Sequence, residues 1–225
     1  MKFIGHLDIM RYFQKVMRRA DVDIRYSEGF SPHQIMSFAA PLGVGLESRG
    51  EYVDIEVLST DSSKEMLRRI NENMVEGMEA LSYRALPDDA GNAMSLVAAA
   101  DYEVRFREGY EPEDLDAFFA GIPEFLKKEE ILFLKKTKKG EKEINIRPQI
   151  YQMEARPDHK IFLQIATGSA ANLKPDAVLR AYAKSRGETL GEFALMVTRL
   201  EVYADKGNEE KHDFVTLESF GEDIE

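Results

Sequence analysis

The stretch FIGHLDIMRYFQKVMRRADVDIRYSEGFSPH, residues 3–33, passes from helix to strand to tight loop within one short span, and the fold is read outward from it. Apolar residues at Leu7, Met10, Phe13, Met17 and Ala20 recur at helical spacing and predict an amphipathic helix with that stripe buried. The opposite side is basic, with Arg11, Lys15 and Arg19 at successive i,i+4 positions and Arg18 beside them. Like charges stacked this way cost a helix a few tenths of a kcal/mol per pair. Two partners are open to them: a bound anion, or neutralisation by Asp21, Asp23, Asp54 or Glu56. Val22, Ile24 and Tyr26 then alternate with Asp23 and Arg25 as a half-buried strand, running into a loop that Gly29 and Pro32 build and that carries His33.

Composition bounds the rest. The 225 residues, 44% of them hydrophobic, suit one large or two small domains with real cores. No apolar run approaches a membrane span, and Met1-Lys2 leads into structure without a signal-peptide pattern, so a cytoplasmic protein without membrane contact is expected. With no cysteine, the chain has neither disulfides nor the thiolates that usually ligate zinc or an iron–sulfur cluster. The net charge of −11 argues against a broadly basic nucleic-acid binder. It is unevenly placed, however, because Asp205 to Glu225 hold eight acids against two lysines, leaving −5 for the body and room for a local basic site. That acidic tail, 206–225, has few apolar residues and is expected to be mobile or weakly docked.

Periodicity continues the order. Met36 to Leu46 reads as a strand ending in a bend, and Val53, Ile55 and Val57 as a strand with one buried face. Ser62 and Glu65 form a capping box ahead of a helix that buries Met66, Leu67, Ile70 and Met74; Gly77 ends it, and Met78 to Leu86 reads as a short strand. Ala100 to Phe106 is another strand, followed by a helix from about Pro112 that Pro123 kinks or splits. Strands are then predicted over 131–138, 142–151 and 160–167, a helix over 175–186 and a last strand over 198–203. The order predicts an α+β fold of two tandem ferredoxin-like (split βαβ) domains, 1–90 and 91–205, with the tail after them.

FIGHLD at 3–8, Arg-Arg-Ala at 18–20, YSEGFSPH at 26–33, PLGVG at 41–45, EYVDIE at 51–56, EINIRP at 143–148 and GSAANLKP at 168–175 together resemble the bacterial radical-SAM-linked protein family over nearly the whole chain. Members are fused to, or encoded beside, a radical SAM protein, so the resemblance implies such a partner and no particular reaction. Similar proteins carry a further strand ahead of the Phe-Ile-Gly-His segment. Here Met1 stands two residues before Phe3, implying either an upstream start or a first domain without that strand. GHLD, RRA and the YSxGFxP pattern also resemble, in part, tandem ferredoxin-like enzymes that process CRISPR repeat RNA, although the glycine-rich loop of that family is not seen near the C-terminus.

Several residues are candidates for function. His6 and His33, with Asp8 nearby, could serve as acid and base, since imidazole titrates near neutral pH; a histidine ahead of a helix could equally bond backbone. The same three could bind a metal, but His-x-Asp is a weak signal and no metal or cofactor is assigned. Arg11, Lys15, Arg18, Arg19 and Tyr26, with Lys138, Lys139 and Arg147 around a lysine-rich hairpin, are the candidate nucleic-acid contacts. Lysines on a sheet edge also guard against aggregation. Ser169, Asn172 and Lys174 precede Pro175 at a helix start, where free N–H groups suit an anion and where Asn172 could instead cap the helix. Three functions follow as expectations: an RNA-binding accessory partner of a radical SAM enzyme, an endoribonuclease using His6 and His33, or a protein-only adaptor.

Overall fold

A computed structural model describes residues 3–137, 140–208 and 210–225. It is a mixed α+β protein whose chain divides into two compact units: Met1–Gly45, Glu51–Val97 and Tyr203–Glu225 form the first, Leu46–Gly50 and Ala98–Val202 the second. Among the described residues no helix is long and apolar enough to cross a membrane.

The first unit opens with α1 (His6–Arg19). Its buried face is Val16, Met17 and Ala20, with Met10 and Phe13 partly covered, packed on Val22, Ile24, Met36, Met66 and Ile70. Leu7, expected in that stripe, is instead 69% exposed, because the helix begins at His6 and its first turn extends past this core. The helix ends in a Schellman arrangement: Val22 N–H reaches the Met17 carbonyl at 3.0 Å and Asp21 N–H the Arg18 carbonyl at 3.4 Å. Asp21 takes the left-handed position with φ 52° where glycine is usual. β1 (Met36–Phe38) pairs antiparallel with β3 (Val53–Ile55), extended by single bridges Ile24–Val57 and Tyr26–Gln34. α2 (Ser63–Glu72) starts as the capping box predicts, with Ser62 Oγ accepting from Glu65 N–H.

The predicted strand 78–86 is absent; only Ala85 bridges, to Glu222. The tail, expected to be mobile, is docked. β10 (Phe214–Thr216) pairs with residues 203–205, Ala85 and Glu222 exchange backbone bonds of 2.9 Å, and Ser63 both donates to the Ile224 carbonyl and accepts from its N–H. Backbone pairing and buried Leu217 hold a segment whose apolar content alone looked too small.

α3 (Ala93–Leu96) leads into the second unit, whose sheet runs β9 (Leu195–Asp205), β4 (Val97–Phe106), β8 (Lys160–Ala166), β7 (Ile150–Arg156), with the short β2 (Glu47–Ser48) parallel to β9. β4 and β7 both pair antiparallel with β8. α6 (Pro175–Ser185) buries Val178, Leu179 and Tyr182 in one core with Val104, Phe118, Ile161 and Leu163. The helix split expected near Pro123 occurs at Gly121, between α4 (Leu115–Ala120) and α5 (Ile122–Leu126). A Cβ there would lie 2.6 Å from the Tyr182 hydroxyl and 2.8 Å from Arg186 Nη1 and would push both groups aside. Those two groups donate to the Phe118 and Ala117 carbonyls at the end of α4. The strand expected over 142–151 is two pieces. β5 (Leu132–Thr137) and β6 (Gly140–Asn145) form a separate hairpin, and a 3₁₀ turn at Arg147–Gln149 precedes β7. Asn145 Oδ1 makes the break by accepting from the N–H groups of Ile131 and Arg147.

Candidate functional site

The outward face of α1 carries Leu7, Asp8, Arg11, Lys15, Arg18 and Arg19, all exposed. Arg11 pairs with Asp8 at 3.1 Å, a surface contact between side chains 70% and 64% exposed that contributes little. Three of the four carboxylates expected to neutralise the row are engaged elsewhere. Asp23 accepts from the Ser59 hydroxyl, Asp54 from Ala93 N–H, and Glu56 pairs with Arg25. Among the described residues no carboxylate lies within ion-pair distance of Lys15, Arg18 or Arg19. The carbonyl end of the helix favours cations, which offsets part of their mutual repulsion.

A buried amide ties this face to the loop that follows. Gln34, 4% exposed, donates through Nε2 to the Gln14 carbonyl at 3.3 Å and to the Tyr26 hydroxyl at 3.4 Å. Arg18 Nε donates to the same Gln14 carbonyl at 3.4 Å. One carbonyl of α1 therefore gathers Arg18, Gln34 and, through Gln34, Tyr26. The Gln34 carbonyl oxygen is buried without a hydrogen-bond partner. Such an orphan is costly, so this residue is a poor choice for stability alone.

The loop is closed by Ser27 and His33. Ser27 N–H donates to the His33 carbonyl at 2.8 Å, and His33 N–H donates to Ser27 Oγ at 3.1 Å. Ser27 Oγ also lies 2.9 Å from His33 Nδ1, closer than the Ser31 carbonyl at 3.4 Å. Having accepted from the backbone, the hydroxyl can give its proton to Nδ1, which leaves the proton of a neutral ring on Nε2. Between the closing residues, Gly29 at φ 105° turns the chain and Phe30 stands fully in solvent. His33 also borders a shallow depression of about 270 Å³ on the outer face of the β1–β3 pair, with Ser37, Asp54, Glu56 and Asn92.

His6, at the start of α1, has its ring edge-on to Phe38 at 5.7 Å, and Phe38 meets Phe13 in the same way. The contacts of the His6 ring and those of the His33 ring share no residue. Among the described residues no three His, Asp, Glu or Cys side chains form a group that could hold a metal.

In the second unit, Arg147 directs Nε to the Leu126 carbonyl and Nη1 to the Ile150 carbonyl, both at 3.0 Å, so its guanidinium is committed to the backbone. Lys138 and Lys139 lie outside the described residues. Ser169, Asn172 and Lys174 are exposed ahead of α6. Lys174, not Asn172, occupies the cap position, without a side-chain capping bond. Sequence reasoning missed Gln34, Gln14 and Ser27, because their roles depend on contacts between elements. Phe30 left a signal, an aromatic residue between Gly29 and Ser31-Pro32, that composition gave no reason to bury.

No curated protein matches the sequence. A family model described as an uncharacterized protein conserved in bacteria (DUF2344) matches residues 1–175, well over half of the chain, and the protein belongs to that family.

Proposed function

We propose that the protein is an RNA-binding accessory partner of a radical SAM enzyme, acting in the cytoplasm, and that it presents the outward face of α1 and the 26–33 loop to the RNA. One observation carries this reading: Arg18 and Tyr26 are joined through Gln14 and Gln34, beside Lys15 and Arg19, with no carboxylate among the described residues paired to any of these cations. Cations for phosphates and an exposed ring for an unstacked base are the combination that single-stranded and looped RNA calls for. Phe30 adds a second free ring.

The radical SAM partner rests on the sequence motifs. A chain without cysteine would leave cluster chemistry to that partner and contribute substrate binding. The units read as ferredoxin-like. The strand order β9-β4-β8-β7, with helices after β4 and β8, supports a split βαβ arrangement for the second. The first unit has the corresponding helices α1 and α2 and lacks a strand ahead of α1 among the described residues.

The test is fluorescence anisotropy with a labelled stem-loop RNA, comparing the protein with its Arg11→Gln, Lys15→Gln, Arg18→Gln, Arg19→Gln variant. Each phosphate contact contributes roughly 8-fold at 0.1 M salt, so affinity is expected to drop more than about 100-fold. Equal affinities would refute the reading. A second reading, the protein-only adaptor, draws on exposed Phe3 ahead of α1 and exposed Leu7 in its first turn. It predicts that Leu7→Glu abolishes binding to the radical SAM protein while RNA fails to bind at all. The endoribonuclease reading, with His6, Asp8 and His33 as its groups, draws no support from the contacts of either ring.

A further inference from the structure

Two lysines of the β5–β6 hairpin stand directly opposite one another. Pairing sets Leu132 opposite Asn145, Phe133 opposite Ile144, Leu134 opposite Glu143 and Lys135 opposite Lys142. Side chains alternate along each strand, so Phe133, Ile144, Lys135 and Lys142 share one face while Leu132, Leu134 and Glu143 share the other, where Lys136 stands opposite Glu141 in the register. Phe133 and Ile144 pack against the core of the second unit, and the lysine pair lies one full repeat further out, about 7 Å, where both residues are exposed.

Like charges directly opposite one another destabilise an antiparallel pair, and an isolated two-stranded ribbon has little stability to spare. Among the described residues neither Lys135 nor Lys142 has an ion-pair partner, since the glutamates of the hairpin lie on its other face. A guard against edge-to-edge aggregation needs charge but no two like charges set directly opposite each other. Two unpartnered cations set side by side on one face suit consecutive phosphates, which supply the compensating charge and carry no sequence information.

We infer that this face of the hairpin is a second RNA contact, in which Lys135 and Lys142 hold the phosphate backbone independently of sequence. The inference rests on the RNA-binding reading above and extends it to the second unit. The experiment is the salt dependence of RNA affinity for the full chain, for Lys135→Gln, Lys142→Gln, and for a Glu141→Gln, Glu143→Gln control, each with its melting temperature. Loss of two phosphate contacts is expected to make the slope of log K against log salt shallower by about 1.8, roughly 60-fold in affinity at 0.1 M, equally for unrelated RNA sequences. The melting temperature should hold or rise because a repulsive pair has been removed, and the control should keep the parent slope. An unchanged slope in the lysine variant, or one that changes only together with a lowered melting temperature, would overturn the hairpin contact and leave the α1 reading standing. No RNA binding by the unsubstituted protein would overturn both.

Discussion

At the residue scale, two polar side chains show how the same chemistry serves different ends. Arg147 resembles a free cation in the sequence, yet its guanidinium closes two backbone carbonyls around the 3₁₀ turn. Arg147→Ala should therefore cost about 1–3 kcal/mol in denaturant unfolding, by leaving those carbonyls short of donors, while RNA affinity stays within about 2-fold. Gln34 is the reverse. Its buried orphan oxygen means that Gln34→Met should leave stability unchanged or raise it by up to about 1 kcal/mol. The same substitution releases Tyr26 from Gln14 and should weaken RNA binding several-fold. Neither assignment was legible in the sequence, because a glutamine or arginine at a given position says nothing about which carbonyl from a distant turn will meet it. The surroundings of His6 were hidden for a related reason: its ring packs on Phe38, a residue thirty-two positions away.

At the element scale, local signals fared best. The α1 helix and the Ser62 cap are set by residues within one or two turns of each other, and both appear in the structure. Strands fared worse because their ends are fixed by partners. The run 142–151 is read as one strand, yet Asn145 interrupts it by accepting from Ile131 N–H across the hairpin base. A quantitative expectation attaches to the C-terminus of α1. Asp21→Gly removes the cost of a left-handed aspartate, partly offset by a more flexible unfolded chain, and should raise stability by up to about 1 kcal/mol in chemical denaturation. A second concerns the β9–β10 hairpin, where Asp205 accepts from Gly207 N–H at 2.8 Å, Asp213 N–H at 2.9 Å and the His212 ring at 2.6 Å. Burial pushes this carboxyl up, but the Asp213 amide, the His212 ring and the Gly207 amide together hold it below the ordinary aspartate value. A depressed folded-state value adds stability that is complete above about pH 4 and is lost as pH falls through the lowered value. Asp205→Asn should accordingly melt below the parent at pH 7, and the gap should narrow as pH drops below about 4; a gap independent of pH would argue against the clamp.

For the whole molecule, the largest departure from sequence reasoning is the C-terminal segment. Its charge predicts mobility, whereas its backbone completes the first unit by pairing with Ala85 and Ser63 while Arg84 reaches Glu218 at 3.2 Å and Asp223 at 3.4 Å. Composition could not reveal this, because the partners at Ala85 and Ser63 lie more than a hundred positions away. A mobile tail would compete with RNA for the basic face, and its deletion would tighten binding. A docked one predicts instead that removing residues 214–225 lowers stability by more than about 3 kcal/mol, through loss of buried Leu217 and of the pairing at Ala85 and Ser63. Glu218, Glu222, Asp223 and Glu225 are thereby fixed in place, and among the described residues none of them pairs with Lys15, Arg18 or Arg19, which keep the charge an RNA would need.

Ultraviolet cross-linking of the full chain to bound stem-loop RNA, with the adducts located by mass spectrometry, tests the central claim most directly. The account predicts nucleotide adducts on Tyr26 and Phe30. Adducts confined to residues outside α1 and the 26–33 loop, or no cross-linked RNA at all, would contradict it.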